Sequence, residues 1–89
     1  MSRPVSRAEI TLKRKDGTET KVYMTPRQEK FFEFLFQHLD NPVDVETVRQ
    51  HMDMTVQNLR VTKMQVQTLI EGYYVIMSNW GKSYTMHRL

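Results

Sequence analysis

Gln57, Arg60, Val61, Met64 and Gln65 fall on one side of a helix when the chain is wound at about 3.6 residues per turn. Arginine pairs with guanine, glutamine with adenine, and valine or methionine lies against a thymine methyl, so the set suits base edges in a major groove. Lys63 and Gln67 sit at the margins of that face, where they suit the phosphate backbone. No Asp or Glu occurs from residue 54 to residue 70, although 26% of the chain is charged. A helix lying beside phosphates needs that absence. A merely solvated polar face does not need it, and leaves exposed Val61 and Met64 without a purpose.

A second group closes the chain. Two strand-like runs, 73–78 and 83–89, flank Asn79-Trp80-Gly81-Lys82. Lys82 suits a phosphate, and Ser83 can donate a hydrogen bond to another. Two readings stand open for Trp80. It stacks on a sugar or wedges into a minor groove, or it folds back over core rings, since tryptophan is usually mostly buried.

Other chemistry finds little support. His38, His51 and His87 are dispersed and there is no cysteine, so neither a nucleophile–base pair nor a thiolate metal site is expected. His51 and Asp53 make a pair of metal ligands without a third. No glycine-rich phosphate loop exists, because Asp16-Gly17 reads as a hairpin turn. An enzyme, a metal and a cofactor are therefore not expected. Eighty-nine residues make one domain. The apolar runs are far too short to span a membrane, and "MSRPVSRAE" lacks the apolar stretch of a signal peptide. The expected setting is the cytoplasm, at the nucleoid. The net charge is +3, with basic ends around an acidic middle, which suits a nucleic-acid partner.

The elements that must carry these groups can be read in order. Residues 1–8 read as a flexible basic arm, in which Arg3 and Arg7 could add non-specific contacts, and residues 9–89 as the folded domain. "EITLKRKDGTETKVYM" alternates around Asp16-Gly17 as a hairpin. "TPRQEKFFEFLFQHLDNP" opens with an N-cap Thr25, a first-turn Pro26 and a capping-box Gln28. Its apolar residues cover more than one face, which predicts a central helix rather than an aromatic cofactor box. "VDVETVRQHM" is a short helix capped by Asp44, with Val48 and Met52 inward. Thr55 caps a third helix over 56–70, which Gly72 terminates. On that helix Leu59, Thr62, Val66, Leu69 and Ile70 form the buried arc, with Lys63 snorkelling at its edge. Strand, strand, helix, helix, helix, strand, strand predicts an α+β fold: a winged helix-turn-helix whose last hairpin is the wing.

"MTPRQEKFFEFL", "VDVETVRQHM", "NLRVTKMQVQTLI" and "VIMSNWGKSYTM" resemble, in order, the blocks of the OmpR/PhoB-type winged-helix effector domain. Thr25-Pro26, the run from Asp44 to Val48, Leu59-Arg60-Val61 with Val66, and Gly81 with Tyr84 carry the resemblance, which covers about residues 10–87. It implies a third helix in the major groove and a wing in the minor groove of double-stranded DNA. It places Arg60, Val61, Thr62, Met64 and Gln65 on or near DNA, whereas the helical periodicity puts Thr62 inside. The sequence departs from the family where Met64, Gln65 and Gln67 replace helix-3 arginines, Trp80 replaces the wing arginine and Ser83 the second wing glycine. Lys63 stands at an apolar position. The connection at residues 53–55 is several residues shorter than the family's loop, which contacts RNA polymerase, so repression is favoured over activation. The sequence has no receiver domain, so receiver phosphorylation is not expected to control it. A homodimer on repeated half-sites is expected, with the first hairpin as a candidate dimer surface. The rival expectation is a protein-interaction module, phage-encoded in one version, that binds a host regulator or RNA polymerase through the acidic second helix.

Overall fold

Asp16-Gly17 makes the turn that its sequence predicts. A computed structural model describes residues 7–89. In it β1 (Ala8–Lys13) and β2 (Glu19–Met24) pair antiparallel, Ala8 opposite Met24 and Lys13 opposite Glu19. Gly17 takes a φ of 91°, and Asp16 accepts a hydrogen bond from the Thr18 amide at 2.8 Å. Ala8 is thus part of β1 rather than of the arm. Arg3 lies outside the described residues.

Thr25 caps α1 (Pro26–Gln37) through both halves of the capping box. The Gln28 amide donates to Thr25 Oγ1 at 3.3 Å, and the Thr25 amide donates to Gln28 Oε1 at 3.0 Å. Phe31, Phe32 and Leu35 are buried, and α1 packs against α2 (Val45–Met52), α3 (Val56–Leu69) and the first hairpin. The helix is central as expected, except that Phe36 is exposed and lies under the Arg88 guanidinium at 5.8 Å.

A two-residue strand, β3 (Val43–Asp44), separates α1 from α2 and was not expected from the sequence. It pairs with β5 (Ser83–Arg88), which also pairs with β4 (Tyr74–Asn79), giving the antiparallel order β3-β5-β4. Without β3 one edge of β5 would lack backbone partners at this point. Asp44 does stand at the N-cap of α2, but its side chain makes no capping bond, and its backbone pairs with Ser83 of β5. Asp53, at a φ of 52°, ends α2 in the left-handed region. Thr55 Oγ1 accepts from the Asn58 amide at 3.2 Å and starts α3. The connection between the two helices is therefore as short as the sequence implies.

The core joins both hairpins to the helices: Leu12 and Met24 from the first, Phe31, Leu35, Val48, Leu59, Val66 and Ile70 from the helices, and Tyr74, Ile76, Tyr84 and Met86 from the second. The molecule is a compact α+β fold with small antiparallel sheets, and its element order is compatible with a winged helix. No helix among the described residues is long and apolar enough to cross a membrane.

Candidate nucleic-acid interface

The buried side of α3 is fixed by Leu59, Thr62 and Val66. Thr62 is 1% exposed, and its hydroxyl donates to the Asn58 carbonyl one turn back at 2.9 Å. That satisfies a hydroxyl that would be costly to bury alone. Periodicity placed Thr62 correctly, and the position implied for it by the family resemblance does not hold in this fold.

The opposite side is open. Gln57, Arg60, Val61, Met64 and Gln65 are all exposed, Val61 at 45% and Met64 at 66%. The face has two flanks of different character. Towards the second hairpin, Val56, Arg60, Lys63 and Met64 line a groove of about 340 Å³ with Val45, Ser78, Gly81 and Tyr84. Towards α1, Gln65 Oε1 accepts from Gln28 Nε2 at 3.1 Å, and Arg7 lines a recess beside Gln65, Thr68 and Leu69. Gln65 is thereby tethered to the side of α1, while Arg60 and Met64 lie nearer the second hairpin. Gln67 is half-buried and turns with Met64 and Thr68 towards the Gly72 end of the helix.

Lys63 is half-buried, and its ammonium lies 5.6 Å from the centre of the Tyr84 ring. The stem is covered and the charge faces a π surface, as snorkelling requires. Burial pushes the Tyr84 phenol above its ordinary value, and the nearby Arg60 charge opposes that shift. Lys63, Arg60 and Tyr84 thus meet in the groove between helix and hairpin. Among the described residues no carboxylate forms an ion pair with Arg60, Lys63 or Lys82. From residue 54 to residue 89 the only acidic side chain is Glu71.

The tip of the second hairpin is a tight turn. The Lys82 amide donates to the Asn79 carbonyl at 2.9 Å, and Trp80 and Gly81 take φ values of 57° and 69°. A positive-φ pair is what a type I′ hairpin turn requires. Glycine accepts it freely, whereas a bulky residue there is destabilised by about 1–2 kcal/mol. Trp80 nevertheless occupies the position, and its side chain is 95% exposed. The core reading of Trp80 therefore fails. Asn79 Nδ2 donates to Ser83 Oγ at 3.1 Å and to Thr85 Oγ1 at 3.2 Å, leaving the Ser83 proton free to be donated. The Val45 amide donates to the Lys82 carbonyl at 2.8 Å, so the start of α2 holds the tip.

Sequence reading missed Val56 and Ser78, which line the groove between α3 and the hairpin. The same helical rotation that placed Arg60 would have placed Val56 beside it. The histidines assemble nothing. His51 stacks on Phe34 with ring centroids 4.1 Å apart, His87 Nδ1 meets Asp40 Oδ1 at 2.8 Å, and His38 Nδ1 lies 2.9 Å from the Phe34 carbonyl. Among the described residues no three metal-ligating side chains come together. Comparison with protein-family models, with characterised proteins and with solved structures found no match to this chain.

Proposed function

We propose that this chain is a winged-helix DNA-binding transcription regulator of the OmpR/PhoB type, acting at the nucleoid in the cytoplasm. In this reading α3 enters the major groove of double-stranded DNA and the β4–β5 hairpin is the wing on the adjacent groove. One observation carries it. The exposed face of α3 and the adjoining hairpin border one groove, lined by Arg60 and Lys63 and by Gly81 next to Lys82, and among the described residues these three cations have no carboxylate partner. Unpaired cations beside exposed Gln57, Val61 and Met64 offer both phosphate neutralisation and base-edge readout. The strand order β3-β5-β4 supports the winged-helix assignment. The short α2–α3 connection offers little to RNA polymerase and supports repression. A homodimer spanning two half-sites would supply the specificity that one recognition helix lacks.

The test is anisotropy of a labelled mixed-sequence duplex titrated at several salt concentrations. The affinity is expected to fall log-linearly with salt, with a slope equal to a few phosphate contacts. Arg60→Ala is expected to weaken binding by about 1–3 kcal/mol once a preferred site has been selected. No binding at low salt overturns the proposal.

The second reading, a module that binds a host regulator or RNA polymerase, has its own support. Val61 and Met64 on α3, Met77 on β4 and Trp80 at the hairpin tip are all exposed apolar residues. It gains if Arg60→Ala leaves a protein partner bound and the wild type ignores DNA.

A further inference from the structure

The DNA reading leaves one feature unexplained: the tip residue is held in a backbone conformation that suits asparagine or glycine, yet it is the chain's only tryptophan. We propose that Trp80 is a wedge that enters between two stacked base pairs of duplex DNA from the minor groove, unstacks that step and bends the helix. The inference rests on the DNA-binding reading.

Four observations converge on it. The indole is the most exposed large apolar side chain among the described residues, none of which covers it. Its backbone is held from several directions: by the turn bond from Lys82 to Asn79, by the Asn79 side chain across to Ser83 and Thr85, and by the Val45 amide on the Lys82 carbonyl. A rigid mount is what insertion between bases needs, since a floppy tip would lose its ordering entropy on binding. The charge around it leans basic and fits a polyanion better than an apolar pocket in a protein: Lys82 is adjacent, Arg60 and Lys63 line the neighbouring groove, no acid stands in either hairpin strand, and the one acid of the sheet is Asp44 on β3, opposite Ser83. Finally, Trp80 is alone. Single-strand binders stack successive bases on several aromatics, but the other exposed rings, Tyr23 and Phe36, belong to β2 and α1. One isolated apolar side chain at a basic tip is the arrangement of a minor-groove wedge, which kinks the duplex at flexible steps.

The chain's single tryptophan gives a direct readout. The 89-residue chain is titrated with a duplex carrying end dyes for energy transfer, while intrinsic fluorescence is followed on the same duplex without dyes. Trp80→Asn and Trp80→Phe are the variants. Asparagine favours the positive φ, so Trp80→Asn keeps the turn, and any loss cannot be blamed on a failed hairpin. The wild type is expected to show quenched tryptophan emission and a shortened end-to-end distance in the complex. Trp80→Asn is expected to bind about ten- to a hundredfold more weakly, the range for a lost base–aromatic stack. Its salt slope is expected to match the wild type, because no phosphate contact is removed. It is expected not to bend the duplex, and Trp80→Phe to retain most of the bend. Bound duplex with unchanged tryptophan emission, or a Trp80→Asn complex that bends like the wild type, overturns the wedge and leaves the DNA reading standing. Stronger quenching by a single strand than by the duplex also overturns it. No binding to any duplex overturns both.

Discussion

The two hairpins are built from the same plan and finished differently. Each has six-residue antiparallel strands and a turn with a positive-φ glycine. The first is satisfied within the fold: the Lys15 amide donates to the Leu89 carbonyl at 2.8 Å and the Arg14 guanidinium lies 4.5 Å from the centre of the Tyr73 ring. Its turn is closed by Asp16 accepting from Thr18, and its strands carry the cross-strand pairs Lys13–Glu19 at 3.8 Å and Lys21–Glu9 at 3.0 Å. The second has no acid on either strand, an unpaired lysine beside its tip and a tryptophan in a position that disfavours it. Local stability explains the turn residues Asp16 and Gly17 of the first tip, beside which Lys15 is exposed. It explains neither Trp80 nor Lys82 in the second, and residues that a fold does not need are the ones to suspect of meeting a partner.

Charge reversal at the two tips is expected to give the largest contrast. Lys82→Glu removes a cation and adds an anion where phosphate is proposed to lie. DNA affinity is expected to fall by about tenfold or more at moderate salt, with a salt slope shallower by about one contact. Lys15→Glu makes the same change beside the turn of the first hairpin, where Lys15 is also exposed, and is expected to change affinity by less than about threefold. Equal losses from both would erase the distinction between the hairpins and reduce the interaction to net charge.

How far this distinction could be read beforehand depended on the range of the forces involved. Asp16-Gly17, the Thr25 capping box and the inward Thr62 were legible, because each follows from a period or from partners three or four residues away. Strand β3 was not legible. Two residues have no pattern of their own, and they become strand only because β5, some forty residues on, needs an edge partner. The outward direction of Trp80 was equally hidden: sequence says that the residue is large and apolar, but only the turn's backbone says where its side chain points. Of the α3 face, the exposed set was legible. The tether of Gln65 to Gln28 was not, since it joins helices remote in sequence. The second hairpin begins and ends a residue away from its expected bounds, because pairing with β5 rather than composition sets its ends.

A smaller effect separates the hairpins by stability. Trp80→Asn replaces a disfavoured residue with one suited to the turn, and is expected to stabilise the fold by about 1 kcal/mol, raising Tm by several degrees. Asp16→Ala removes the acceptor for Thr18 and is expected to lower Tm. Calorimetry of both variants checks the pair. Opposite signs mean that the first tip is optimised for folding and the second is not. A fall in both would mean that Trp80 stabilises the hairpin after all, and its proposed role at DNA would lose its main support.

The smallest difference is one of pH. Hydrogen bonds from Thr18, its side chain first and then its backbone, hold the Asp16 carboxyl below its ordinary value of 3.8. A carboxyl depressed in the folded state adds stability that is complete above its unfolded pKa and is lost as the pH falls through its folded pKa. The wild type is therefore expected to exceed Asp16→Asn in Tm at neutral pH, and the two curves to converge on acidification below about pH 4. Other carboxyls titrate in both proteins and cancel in the difference. Amide shifts measured along the same titration in both proteins locate the effect: the Thr18 shift is expected to be lost in Asp16→Asn, while any shift of Trp80 and Gly81, for which Asp44 opposite Ser83 is the nearby carboxyl of the sheet, is expected to be the same in both. Parallel Tm curves, or second-tip amides that move with Asp16, would mean that the turns share one electrostatic environment. The separation between a hairpin satisfied within the fold and one proposed to face a partner would then have to rest on Trp80 alone.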